Sequence, residues 1–225
     1  MAKMFIGGES VDSVTKNTTE VRNPATGATV DTVPQGNHKD VQQAIQAAED
    51  AFKVWSDVSP EDRGNALMNA GELIKKNTGE IAQLLTQEQG KTVFEAGLEI
   101  HHLVHGLEFY AGLASKVRGS HVPLPQKGAY GMVVRQPIGV CGGIVPWNFP
   151  LTLMGTKLGP ALAAGNTIII KPASNFPCRT AWPSSASFSL RRSGAKTVRK
   201  ALKPISKNAP RNSRDGNHFS PFRTF

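Results

Sequence analysis

The side chains best placed to do chemistry fall between Gly139 and Lys171. Trp147 and Asn148 stand between two prolines in Pro146-Trp147-Asn148-Phe149-Pro150. Each proline locks its own φ and disfavours the helical region for the residue before it, so the turn is irregular and stiff. Lys171 ends the run Thr167-Ile168-Ile169-Ile170. Taken alone, Asn148 reads as a turn-stabilising residue and Lys171 as a snorkelling lysine at a strand end. Cys141 lies inside an apolar run, and Cys178 follows Pro177 with neither a helix nor a base beside it to generate a thiolate. His101 and His105 are spaced i,i+4 with Glu108 one turn further, superficially a metal-ligand spacing. The His-Glu-x-x-His pattern is missing, so the expectation is surface or tunnel-wall histidines and no metal.

The elements that must position these residues follow from the pattern around them. Residues 140–145 form a short apolar run broken by Gly142 and Gly143, as in a buried strand approached closely by another backbone. Residues 151–164 are rich in Leu and Ala and stop at Gly165-Asn166, a helix ending. Thr167 to Ile170 has the β-branched run of a strand buried on both faces. Strand, turn, helix, strand is a βαβ unit of a parallel sheet. Such units take ligands at the carboxyl ends of their strands, where Trp147, Asn148 and Lys171 fall.

Upstream, residues 4–32 read as short strands and turns, including Asn23-Pro24-Ala25-Thr26-Gly27. Residues 39–55 predict an amphipathic helix with Val41, Ala44, Ile45, Ala48, Phe52 and Trp55 on one face. Ser59-Pro60-Glu61-Asp62 opens a second helix, with Leu67, Ala70 and Ile74 on its core face. A third spans 79–89, with Ile81, Leu84 and Leu85, and a fourth spans 92–116. Residues 122–137, with Tyr130, Met132 and Val134 alternating, predict an extended arm or hairpin: a pairing edge or merely a linker.

Charge divides the chain. Residues 1–175 carry 15 Lys and Arg against 16 Asp and Glu, a net of −1, whereas residues 176–225 carry 11 against 1, a net of +10. Those last fifty residues hold only Leu190, Val198, Leu202 and Ile205 as aliphatics, too few for a core. The tail is therefore expected to be disordered. Two cysteines imply no disulfide framework. No run approaches membrane-spanning length, and the first residues lack the long apolar region of a signal peptide, so the expectation is a cytoplasmic protein with no membrane partner.

Pro146-Trp147-Asn148-Phe149-Pro150 followed by Ala164-Gly165-Asn166-Thr167-Ile168-Ile169-Ile170-Lys171-Pro172-Ala173-Ser174 closely resembles the aldehyde dehydrogenase superfamily, as does the Asn-Pro-Ala-Thr-Gly turn. The resemblance covers residues from about Phe5 to Pro177. It implies an α/β fold: an incomplete Rossmann-like parallel sheet with an N-terminal helical layer, occupying 1–177. It implies NAD(P)-dependent oxidation of an aldehyde, a semialdehyde among the candidates, to a carboxylic acid. On that resemblance Asn148 is the oxyanion donor. Ile144, Val145, Pro146, Trp147 and Asn148 line the cofactor cleft, with plain core at least as good a reading for Val145. Lys171, with Pro172, Ala173 and Ser174 after it, meets the adenosine ribose. Ser174 stands where many relatives have Glu, and losing that charge removes repulsion against a 2′-phosphate, so NADP is admitted beside NAD. In the family a segment like 122–137 pairs between subunits, which implies a homo-oligomer.

The family's nucleophilic Cys, general-base Glu and second Gly-rich loop lie beyond the Lys-Pro-Ala-Ser segment, and no such motif follows Asn175 here. This sequence alone is expected to be inactive. Because Trp has one codon, the tail can be back-translated from Trp182. Starting at that codon's last base, with Ser from its four-codon box, gives Ala and then mostly Ile, Leu, Val or Phe. Residues 190–193 permit Lys-Glu-Val-Gly. Residues 178–225 therefore read as a basic frameshift product. Competing readings are a nucleic-acid-binding arm, for which no reader motif is present, and a non-catalytic module that pairs with full-length relatives.

Overall fold

The computed structural model describes residues 2–173; Ser174, Cys178 and the basic tail 178–225 lie outside the described residues. Two antiparallel hairpins open the chain, β1 (Met4–Ile6) with β2 (Glu9–Val11) and β3 (Thr18–Arg22) with β4 (Thr29–Pro34). Four helices follow: α1 (His38–Trp55), α2 (Pro60–Lys76), α3 (Thr78–Gln89) and α4 (Val93–Leu113), the last tightening into a 3₁₀ turn at Ala114–Lys116. A third hairpin pairs β5 (Ser120–Pro123) with β6 (Tyr130–Val133). The described chain closes with β7 (Val140–Val145), α5 (Pro150–Ala163) and β8 (Thr167–Pro172).

β7 and β8 are parallel and in continuous register from Val140 opposite Thr167 to Val145 opposite Pro172. This is the expected βαβ unit. The helical layer lies on it: α4 packs along α5, α2 packs on α4, and α1 reaches β8 and β7. One core runs through the contact, with Leu67 and Ile74 of α2, Ile100, Leu103 and Leu107 of α4, and Leu158 and Leu162 of α5 all buried. The α4–α5 contact requires a glycine. A Cβ on Gly155 would sit 3.0 Å from Leu103 Cδ1 and 3.2 Å from Leu103 Cα, so a side chain there would push the helices apart.

Helix α1 is fixed by its first turn. The Asn37 side chain accepts from the Lys39 and Asp40 N–H groups, and Asp40 returns a bond to the Asn37 N–H, a reciprocal capping box. Asp40 is itself buried and also accepts from the Ser13 hydroxyl and the Val14 N–H, tying the segment between β2 and β3 to α1. Burial pushes its carboxyl up, but the bonds from Asn37, Val14 and Ser13 outweigh that and hold it below its ordinary value.

Two expectations about burial change. On α1 the covered face is Asp40, Ala44, Ala48, Ala51 and Trp55, while Val41 and Ile45 are 49% and 39% exposed. The stripe turns towards alanines because a small face lets the α1 backbone come close to β8, where the Thr167 hydroxyl donates to Ala48 O at 3.0 Å. On β8 only Thr167 and Ile168 are buried, and Ile169 and Ile170 are half-buried, because the sheet among the described residues has two strands and no neighbour beyond β8. The extended segment expected over 122–137 is a hairpin from Ser120 to Val133, with Tyr130 80% and Met132 71% exposed.

Candidate active-site turn and cofactor edge

The turn 146–149 runs from the carboxyl end of β7 into α5, whose first residue is Pro150. Proline suits that position, since the first helical N–H has no partner within the helix. The N-cap residue is Phe149, which has no side-chain acceptor for the other unpaired N–H groups. The acceptor comes from 52 residues upstream: Glu99 of α4, 1% exposed, takes the Leu151 N–H at 2.7 Å. A carboxylate at a helix N-terminus also suits the helix dipole.

The same carboxylate accepts a hydrogen bond from Lys91, whose side chain is 13% exposed. Lys91 Nζ donates in turn to the Asn148 carbonyl at 3.0 Å and lies 4.9 Å from the centre of the Phe149 ring. Gln89 Nε2 donates to the Trp147 carbonyl. Gln89 and Lys91 are thrown in these two directions by Gly90, which ends α3 with φ +77°. Gly90 also touches the Asn-Pro-Ala-Thr-Gly turn, since a Cβ on it would lie 2.7 Å from Pro24 Cγ. The other end of α5 is held from the helical layer too. Trp55 Nε1 donates to Leu162 O and Arg63 Nε to Ala163 O, each at 3.1 Å. Burial lowers the pKa of the Arg63 guanidinium, which remains a cation at the negative end of the helix.

Asn148 is exposed, and its carboxamide makes no hydrogen bond to a described residue. The backbone demands of its turn are met by Gln89, Lys91 and Glu99 instead, so Asn148 is not spent on stabilising the turn. Ile144 is 72% exposed, whereas Val145 is 2% exposed and belongs to the core. Ile144 stands opposite Lys171 in the ladder, and Val145 opposite Pro172. Pro146, Trp147, Pro172 and Ala173 are half-buried around this edge, and Lys171 is exposed, with Nζ donating to Pro172 O at 2.9 Å. Thus an apolar face, a cation and an unengaged carboxamide share the carboxyl end of one parallel strand pair. An apolar surface beside an ammonium donor fits the base and ribose hydroxyls of an adenosine.

Other candidates separate from this edge. Cys141 is half-buried on β7 opposite Ile168, about 13 Å before the strand's end at the usual rise per residue. The exposed His101 and His105 rings stack with centroids 6.4 Å apart. Glu108 pairs with Lys75 rather than with them. Among the described residues no three His, Cys, Asp or Glu side chains gather to hold a metal. No helix among them is long and apolar enough to cross a membrane.

Gln89, Lys91 and Glu99 escaped the sequence reading. A signal existed: Ala96, Ile100 and Leu103 form the buried stripe of α4, and Glu99 interrupts it with a charge, which is rarely buried unless paired.

A βαβ unit with parallel strands and a helical layer on it defines an α/β protein. Comparison narrows the class. The chain matches the aldehyde dehydrogenase family over residues 11–182, and it belongs to that family. It is 39% identical over 173 residues to the glutarate-semialdehyde dehydrogenase of Pseudomonas putida, covering 77% of this chain and 36% of that protein. It is 37% identical over 179 residues to the betaine aldehyde dehydrogenase of Bacillus subtilis, covering 79% and 36%. Among solved structures, an aldehyde dehydrogenase from Brucella melitensis biovar abortus superposes with a TM-score of 0.79 at 31% identity, over 91% of this chain and 39% of that one. PnpE in complex with nicotinamide adenine dinucleotide gives 0.73 at 36% identity, over 75% and 35%. The chain therefore spans little more than a third of the length of the relatives it matches.

Proposed function

We propose that this chain carries the oxyanion-donor turn and the adenosine end of the cofactor site of an NAD(P)-dependent aldehyde dehydrogenase. The observation that carries the reading is the state of Asn148: exposed, its carboxamide bonded to no described residue, and on a turn held by other side chains. A donor fixed in advance stabilises a developing oxyanion at no cost of reorganisation. Lys171 meets the ribose hydroxyls and Ile144 the base, with Pro146 and Trp147 walling the cleft and Pro172 and Ala173 beside the ribose; Ser174 is assigned with them from the sequence. NAD or NADP, when bound, accepts the hydride. The substrate class is an aldehyde, with semialdehydes first because of the Pseudomonas putida relative.

On this reading the 225 residues as they stand do not oxidise aldehydes, because Cys141 lies far from Asn148 and no base accompanies it. A cytoplasmic location goes with the assignment. The exposed Tyr130 and Met132 of the β5–β6 hairpin favour a second copy of the chain as partner.

The test joins residues 1–173 to the remaining part of the Pseudomonas putida relative and follows reduced-cofactor absorbance with glutarate semialdehyde. The unaltered 225-residue chain serves as the inactive control. Asn148→Ala should lower kcat of the chimera about 10²–10³-fold, the usual cost of one oxyanion donor. An unchanged kcat refutes the donor role. Turnover by the 225-residue chain that is abolished by Cys178→Ser would instead make Cys178 a nucleophile.

A further inference from the structure

We infer that Lys91, clamped by the buried carboxylate of Glu99, is a positioning residue that keeps the Asn148 carboxamide turned out of its own turn. The inference rests on the reading of Asn148 as a donor.

An asparagine in a tight turn ordinarily bonds back to nearby backbone, where its carboxamide is unavailable to a ligand. Two conditions free it. The polar groups of the turn must be satisfied from elsewhere, and the peptide plane that follows the asparagine must not rotate. Both are met by one short segment, residues 89–99. Gln89 holds the Trp147 carbonyl, Lys91 the Asn148 carbonyl, and Glu99 the Leu151 N–H. The Asn148 carbonyl belongs to the peptide joining Asn148 to Phe149, so the 3.0 Å bond from Lys91 fixes the orientation of that plane.

Lys91 suits the task because each of its interactions constrains the others. An ammonium has three N–H donors. Lys91 meets Glu99 Oε1, Asn148 O and the Phe149 ring face. With its side chain 13% exposed and its partner 1% exposed, the ammonium cannot swing into water without leaving a buried carboxylate unpaired. The pair is neutral together, so it orders the turn without adding net charge beside Asn148.

The experiment uses the 225-residue chain and its Lys91→Met, Lys91→Arg and Glu99→Gln variants. Three-bond couplings report the Asn148 χ1 distribution, and the Phe149 amide ¹⁵N shift reports the bond to the preceding carbonyl. Amide exchange at Leu67 and Ala70 of α2 verifies that the core is intact. The expected result is one Asn148 rotamer in the parent, rotamer averaging and a displaced Phe149 shift in Lys91→Met, and recovery of both in Lys91→Arg. Glu99→Gln should give intermediate averaging, and it carries the test if Lys91→Met does not fold. A single Asn148 rotamer in every variant overturns the inference. Equal loss of order in Lys91→Met and Lys91→Arg overturns it too, by assigning Lys91 a packing role. These couplings are independent of catalysis. An ordered Asn148 whose removal leaves the chimera's kcat unchanged would keep the positioning device and remove the donor role.

Discussion

Replacing Glu99 with alanine should be among the most damaging single changes in the described chain. The carboxylate serves two partners, the Leu151 N–H at the start of α5 and the Lys91 ammonium. Glu99 is 1% exposed, so bulk water does not take its place. Removing one partner of a buried pair typically costs about 3–5 kcal/mol, because the other charge is left unpaired. A domain of this kind has only about 5–15 kcal/mol of stability in all. Glu99→Gln separates the two roles. Its amide oxygen still takes the Leu151 N–H, so the loss should be about 1.5–3 kcal/mol, the range for hydrogen bonds to charged groups. Urea unfolding followed by far-ultraviolet circular dichroism gives both numbers, provided the slope against denaturant is unchanged. A cost for Glu99→Ala below about 1 kcal/mol would show that the pair does not hold α5, and the account of the turn would fall with it.

Gly90→Ala forces a Cβ onto a residue at φ +77° and to 2.7 Å from Pro24 Cγ. It should cost about 1–2 kcal/mol for the left-handed backbone plus about 1–3 kcal/mol of overpacking; thermal unfolding of Gly90→Ala with and without Pro24→Ala should show only the second part recovered. Asp40 titrates below its ordinary value when folded, so the unfolded chain binds more protons in the acid range and stability falls as pH drops through the folded pKa. Asp40→Asn should therefore lose about 1–3 kcal/mol at neutral pH, with the difference from the parent closing below the ordinary carboxylate range near pH 4; parallel unfolding curves at neutral and acid pH contradict this. If the β5–β6 hairpin pairs two copies, Tyr130→Ser with Met132→Asp should lower the sedimentation coefficient, and an unchanged value rules out association through that face.

Local rules made much of this fold legible. The Ser59-Pro60 start, the Gly165-Asn166 stop and the β-branched run at Thr167 each act within a few residues, so sequence placed α2, α5 and β8 nearly where they lie. The orientation of α1 was not legible in the same way. Its alanine face is chosen by β8, more than a hundred residues later, and Val41 and Ile45 carry the larger periodic signal. The site divides along the same line. Trp147, Asn148 and Lys171 share the end of one βαβ unit, which pattern alone brings together. Gln89, Lys91 and Glu99 reach the turn only through the packing of α4 on α5, and no spacing between 91 and 148 announces that contact.

The side chains that grip the carboxyl end of α5 also constrain the order in which the chain folds. Trp55 reaches Leu162 across 107 residues and Arg63 reaches Ala163 across 100. Closing such loops costs entropy before any contact rewards it, whereas α2, α3 and α4 meet through short connections. The helical layer should therefore condense first and the βαβ unit dock onto it late, its helix seated at both ends in one step. Conservative substitutions in the α2–α4 contact, such as Leu67→Ala, should slow folding. Trp55→Phe, which deletes the bond to Leu162 and part of a buried ring, should chiefly speed unfolding. The reverse pattern in stopped-flow kinetics would place the α5 anchors in the nucleus. On the expected order, the turn bearing Asn148 acquires its shape only when the rest of the described chain is already in place.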